Sequence, residues 1–170
     1  MKVIVNADDL GISHFVNSEI EKAINNGVVT SSTLIVNAPS FEEGVAIAKR
    51  HSEISVGLHL NLVEFAPLTD YSIFQKYGIV DNSGFFIEGA ISYLNDYPED
   101  LIEAVKKEWT AQIERFMQNG LVPSHIDSHQ HTHTIPAFQK VLIELMNNYG
   151  IKKVRRRTCP KLLFLIFLSS

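Results

Sequence analysis

Residues 30–62 read TSSTLIVNAPSFEEGVAIAKRHSEISVGLHLNL. Thr30 to Asn37 is rich in β-branched residues, Pro39 and Ser40 interrupt it, and Phe41 to His51 carries Val45, Ile47 and Ala48 on a predicted helix. Ile54 to Leu62 is again strand-like. No hairpin signal joins the two strands, so the connection between them is a crossover and the strands are parallel.

The same unit repeats on either side. Lys2 to Ala7 (KVIVNA) predicts a first strand, and Phe15, Val16, Ile20, Ala23 and Ile24 form a helix-period stripe stopped by Gly27. From Val63 to about Tyr97 no period persists, and an excursion that long in a compact domain usually carries function. Pro98 opens the strongest helix, with Ile102, Val105, Trp109, Ile113 and Phe116 in register. Pro123 to Ser128 is a fourth strand, Pro136 starts a helix with Phe138, Leu142, Leu145 and Tyr149 inward, and Ile151 to Val154 is a fifth strand. Five strand-helix units predict an α/β fold with a parallel sheet, open or barrel-like.

The 170 residues, 45% apolar and 20% charged, suit one globular domain with a sizeable core. A formal net charge of −4 argues against nucleic acid as a general partner. Every acidic residue lies at or before Glu144, while Lys152, Lys153, Arg155, Arg156, Arg157 and Lys161 follow it. The single cysteine, Cys159, forms no internal disulfide. Met1 to Val5 is too short an apolar run for an export signal, so a cytoplasmic location is expected. The run Leu162 to Leu168 is far shorter than the roughly 20 residues needed to cross a bilayer, so no membrane partner is expected. A buried last strand or an ill-ordered terminus accounts for it.

Parallel α/β folds place their chemistry at the carboxyl ends of the strands. Three such ends carry carboxylate or imidazole: Asp8-Asp9, His59, and the run His125-Ile126-Asp127-Ser128-His129-Gln130-His131-Thr132-His133. Adjacent carboxylates leaving a strand repel unless a cation relieves them, and such a pair can divide labour between ligating the ion and accepting a proton from water. The structural alternative for the pair is an Asx turn or helix N-cap. For His59 it is a satisfied core imidazole. If the chain stays extended, His125, Asp127, His129, His131 and His133 share one face, and a bound cation is the least costly reason to gather them there. A surface histidine tract is the alternative.

Taken in order, NADDLG at 6–11, VTSSTLIVN at 29–37, GLHLNL at 57–62 and HIDSHQHTH at 125–133 resemble the YdjC-like carbohydrate deacetylase family, which includes the chitooligosaccharide deacetylases. The resemblance covers roughly residues 1–155. It implies a distorted (β/α) barrel related to the polysaccharide deacetylases that removes acetyl groups from N-acetylated sugars or oligosaccharides. The implied cofactor is a divalent metal, Mg²⁺ first, with Zn²⁺ or Co²⁺ as alternatives. Position by position it implies Asp9, His59 and His129 as metal ligands and Asp8 as general base. The leaving amine needs a proton, and His131 or His133 is the candidate to supply it or to orient the acid. Tyr71 to Tyr93 is the candidate sugar platform.

Members of that family continue through further strands and helices. The expected organisation is therefore a deacetylase-like domain over residues 1–157, a barrel incomplete at its C-terminal side, followed by an atypical apolar tail at 158–170; a homodimer is one way to cover the gap. Two other functions stay open: a metal-dependent phosphoesterase or amidohydrolase, and a catalytically impaired remnant that binds metal or sugar.

Overall fold

Strands β1 (Asn6–Leu10), β2 (Ser31–Leu34), β3 (Ser55–Leu60) and β4 (Ile126–Ser128) lie side by side in chain order, all parallel, in a computed structural model that describes residues 3–156. Helices α1 (His14–Asn25) and α2 (Phe41–Arg50) follow the first two strands. Short α3 (Ser72–Lys76) and long α4 (Glu99–Gln118) separate β3 from β4, and α5 (Gln139–Asn148) comes last. A strand order without reversal, joined by crossovers of one hand, puts the helices on a single face. That is the winding of a barrel wall rather than of a doubly wound sheet.

Alternation along the strands separates the two faces. Leu58 and Leu60 of β3 and Ile126 of β4 are fully buried in the apolar core, to which α4 contributes Leu101, Val105, Trp109, Ile113 and Phe116. The intervening His59 and Asp127 point to the other face, where the β3–β4 register places them side by side. Among the described residues no helix is long and apolar enough to cross a membrane.

Several expectations shift. The first strand is displaced from Lys2–Ala7 to Asn6–Leu10, because ladder pairing with β2, rather than the apolar run, sets its position; Val3 and Ile4 are exposed. The Asp pair therefore lies inside the strand, and the N-cap of α1 is Ser13, whose hydroxyl accepts from the Val16 amide at 3.2 Å. Phe15, expected inward, is 72% exposed; the inward place in that turn is taken by fully buried Asn17. The expected fifth strand reduces to one parallel bridge, Ile126 to Val154. The excursion at 63–97 contains α3, a 3₁₀ turn at Ala90–Tyr93 and an antiparallel bridge from Val80 to Phe86. The apolar tail at 158–170, with Cys159, lies outside the described residues.

The polar edge of α4 holds the segment leaving β3. Glu108, fully buried, accepts from the backbone amides of Leu68 and Thr69 and from the Thr69 hydroxyl at 2.8–3.1 Å. Gln112, also buried, donates to the Asn61 carbonyl at 2.7 Å and to Glu108 at 2.8 Å, and accepts from the Asn61 amide at 2.9 Å. Glu108→Ala strands these donors, so chemical denaturation is expected to register a loss of about 2–4 kcal/mol, each stranded buried group costing about 1–3. Glu103→Ala, on the exposed side of the same helix, is expected to stay within about 0.5 kcal/mol. Equal effects of the two substitutions contradict the clamp.

Candidate metal centre

The carboxyl ends of β1, β3 and β4 converge. Asp9, His59 and His129 each offer one ligand atom, all within 4.8 Å of one another. Asp9 Oδ1 lies 3.2 Å from His59 Nε2 and 2.9 Å from His129 Nδ1. Ligand atoms each about 2.0–2.2 Å from a shared ion sit at about this mutual separation. One carboxylate and two imidazoles, with Asp9 about a third exposed and His59 nearly sealed, suit a divalent ion with open positions for water and substrate.

Local backbone conformation makes the convergence. In a regular strand Asp8 and Asp9 point to opposite faces. Asp9 instead adopts φ 67°, and the β1–β2 register shifts between Ala7 and Leu10, so both carboxylates serve the same end of the sheet. All four non-glycine residues with positive φ among the described residues lie on the segments that build this site: Asp9, Phe65, Gln130 and His131. Strain gathered in this way is characteristic of functional sites. It also corrects the extended-chain expectation for the histidine run. After Ser128 the chain bends into a 3₁₀ segment at His129–Thr134, broken by left-handed Gln130 and His131.

The five expected same-face residues therefore divide. Asp127 backs His59, with its Oδ1 2.5 Å from His59 Nδ1, and His129 joins Asp9. His125 lies lower on the sheet, its ring filling the space a Cβ on Gly57 would need. It lines a groove of about 700 Å³ with Val3, Ile4, Asn6 and Val154, toward the amino ends of the strands and away from the triad. His133 folds back: its Nδ1 is 2.5 Å from Ser128 Oγ and its Nε2 2.9 Å from the Arg155 carbonyl. His131 is half-buried, with its ring centroid 6.4 Å from that of His133.

Electrostatics follow from this packing. Burial alone disfavours charge on His59, but hydrogen bonds to Asp127 and Asp9 outweigh it and push the imidazole up to about 9. Burial likewise raises the Asp9 carboxyl, and hydrogen bonds from His129 and His59 overcome that, holding it well below the usual carboxylate range. Asp127 is lowered too, its His59 partner outweighing desolvation. Desolvation lowers His133 and His125, favouring their neutral forms.

The Asp8 carboxylate is held by Arg155 and Asn6. Both its oxygens lie 2.8 Å from Arg155 Nη1, which also reaches Asp127 Oδ2 at 3.3 Å, and Asn6 donates to Asp8 at 2.6 Å. Arg155 is placed by the bridge beyond β4, where its amide donates to the Ile126 carbonyl at 2.9 Å. The sequence places Arg155 inside a basic cluster and Asp127 on the histidine-bearing face, without pairing Asp127 with His59. That pairing, made across the β3–β4 register, carries no local signal, and neither does the contact of Arg155 with Asp8. The candidate sugar platform also divides. Phe74 and Phe86 are core residues in edge contact with ring centroids 5.4 Å apart, whereas Tyr71, Phe85 and Tyr93 are exposed.

The model of the family described as YdjC-like protein matches residues 2–165. Carbohydrate deacetylases of Brevibacillus brevis and Geobacillus stearothermophilus are 39% and 40% identical over 151 and 148 residues, or 89% and 87% of this chain. The carbohydrate deacetylase of Vibrio vulnificus is 40% identical over 152 residues. The chain spans 57–58% of the length of these relatives. A solved structure from Enterococcus faecalis, described as a cellobiose-phosphate cleavage protein, superposes with a TM-score of 0.75 at 32% identity, covering 90% of this chain and 57% of its own. With the family model spanning nearly every residue and the wall of a parallel barrel bringing Asp9, His59 and His129 together, this chain belongs to the YdjC-like protein family.

Proposed function

We propose that the chain carries the metal centre and general base of a carbohydrate deacetylase that hydrolyses the acetamide of an N-acetylated sugar or oligosaccharide, of the chitooligosaccharide type, to acetate and a free amine. The carrying observation is the convergence of Asp9, His59 and His129 within 4.8 Å, at the end of a strand that also bears Asp8. The names of the relatives support the substrate class. A divalent ion held by the triad would supply acidity to a water molecule and positive charge beside the amide carbonyl.

The chain's own groups do the rest. Asp127 holds the His59 ring so that Nε2 faces Asp9. Asp8, held in place by Arg155, takes the proton of the attacking water. Both histidines stay candidates for the leaving amine: His133 contacts Ser128 and the Arg155 carbonyl through its two ring nitrogens, and His131 lies beside it with ring centroids 6.4 Å apart. Exposed Tyr71, Phe85 and Tyr93 offer apolar faces on which a sugar ring can stack. Two imidazoles favour Zn²⁺ or Co²⁺ over Mg²⁺ in affinity, while the carboxylate accommodates all three. Among the described residues one such donor group is present, which suits a single ion better than the two-ion centre of a phosphoesterase.

Acetate release from a diacetylated chitobiose, assayed with Mg²⁺, Zn²⁺ or Co²⁺ and abolished by a chelator, is the expected result. Sugar binding without release favours a binding remnant instead. Asp8→Asn is expected to lower turnover by about 10² to 10⁴ with the ion still bound, and retention of more than about a tenth of wild-type turnover removes Asp8 from the role of base. Because His59 keeps a proton up to about 9, an incoming ion must displace it, so Co²⁺ affinity is expected to climb with pH. One displaced proton gives about tenfold per pH unit, levelling off above about 9. An affinity flat across this range, measured calorimetrically, means that the ion binds elsewhere.

A further inference from the structure

We propose that Glu64 is a positioning residue of the metal centre, the carboxylate that steadies the outer nitrogen of His129 as Asp127 steadies that of His59. The inference rests on the metal-centre reading above. His129 presents Nδ1 to Asp9 at 2.9 Å, and on the opposite side of its ring Nε2 lies 3.7 Å from Glu64 Oε2. Glu64 is not one of the three clustered donors, so it addresses the ligand rather than the ion. The imidazole thus stands between two carboxylates, as His59 stands between Asp9 and Asp127, with a longer outer contact of 3.7 Å against 2.5 Å.

The place of Glu64 is built by the fold. Its amide donates to Asn61 Oδ1 at 3.3 Å, and its carbonyl accepts from Asn61 Nδ2 at 2.7 Å and from Asn37 Nδ2 at 3.4 Å. The buried pair Glu108 and Gln112 fixes Asn61 and the segment beyond it. Left-handed Phe65 follows directly, its carbonyl held by the Phe86 amide at 2.9 Å. A carboxylate on the outer nitrogen of a ligating histidine fixes the tautomer and ring orientation and raises the basicity of the ligating nitrogen. Asp127 does this sealed from solvent, whereas Glu64 is 37% exposed, so screening leaves Glu64 the smaller effect.

Co²⁺ binding to the full chain, followed by calorimetry and visible absorption at one pH, tests the assignment. Glu64→Ala is expected to weaken Co²⁺ by about tenfold, the lower end of what outer partners contribute, with the absorption band unmoved and the melting temperature of the ion-free protein unchanged. Glu64→Gln, which keeps the side chain's length and an oxygen able to accept from Nε2–H, is expected to recover most of the loss. Glu64→Asp, one methylene shorter, is expected to recover little. Wild-type Co²⁺ binding with Glu64→Ala equal to it within twofold overturns the proposal alone. So does an absorption change of the kind a lost ligand produces. Failure of the wild-type chain to bind Co²⁺ overturns the metal-centre reading and the proposal with it.

Discussion

A buried contact between the His59 imidazole and the Asp127 carboxylate, made across the β3–β4 ladder, constrains everything else at the site. A charged pair in that environment is tolerated only when its geometry and remaining hydrogen bonds are good. Both conditions are met: the register sets the residues opposite each other, Thr33 and Arg155 reach the second Asp127 oxygen at 3.4 and 3.3 Å, and Asp9 meets the far nitrogen of the ring. A slip of one residue between β3 and β4 would send one partner into the apolar core.

From that contact a continuous polar path runs along the open face of the sheet. Asp9 and His129 join it through the His59 ring; Arg155, Asp8 and Asn6 join it through Asp127. The opposite face is apolar and packs on α4. The division is the period-two alternation of strands, and it explains how four short strands can be core on one side and chemistry on the other. Helix α4 serves both purposes. Its apolar stripe seals the core, while Glu108 and Gln112 on its edge hold the turn after β3 on which Glu64 is carried.

Much of this was legible in the chain. The stretch from Thr30 to Leu62 carries its strand, helix and strand in plain periodicity, and α4 shows its stripe at Val105, Trp109 and Ile113. The triad Asp9, His59 and His129 was reachable through strand-end chemistry together with family resemblance, since strand ends in parallel folds share one side of the sheet. Legibility failed where the backbone leaves regular geometry. Left-handed Asp9 could not be anticipated from NADDLG, nor the broken 3₁₀ segment from HIDSHQHTH, because that conformation is uncommon for any non-glycine residue and the local sequence does not say which one adopts it.

The amino-acid sequence alone determined the alternation of strands and helices, the apolar stripes, and which three strand ends carry ligand-type side chains. These are local properties, set by the spacing of apolar residues and by the turn chemistry of proline and glycine. Tertiary structure decided which of five clustered imidazole and carboxylate groups meet Asp9, that Arg155 lies against Asp8, and that Glu64 stands behind His129. Those contacts join residues 65 to 147 positions apart, and their partners are selected by strand register and by the bends at Asp9 and Gln130, which no local pattern encodes.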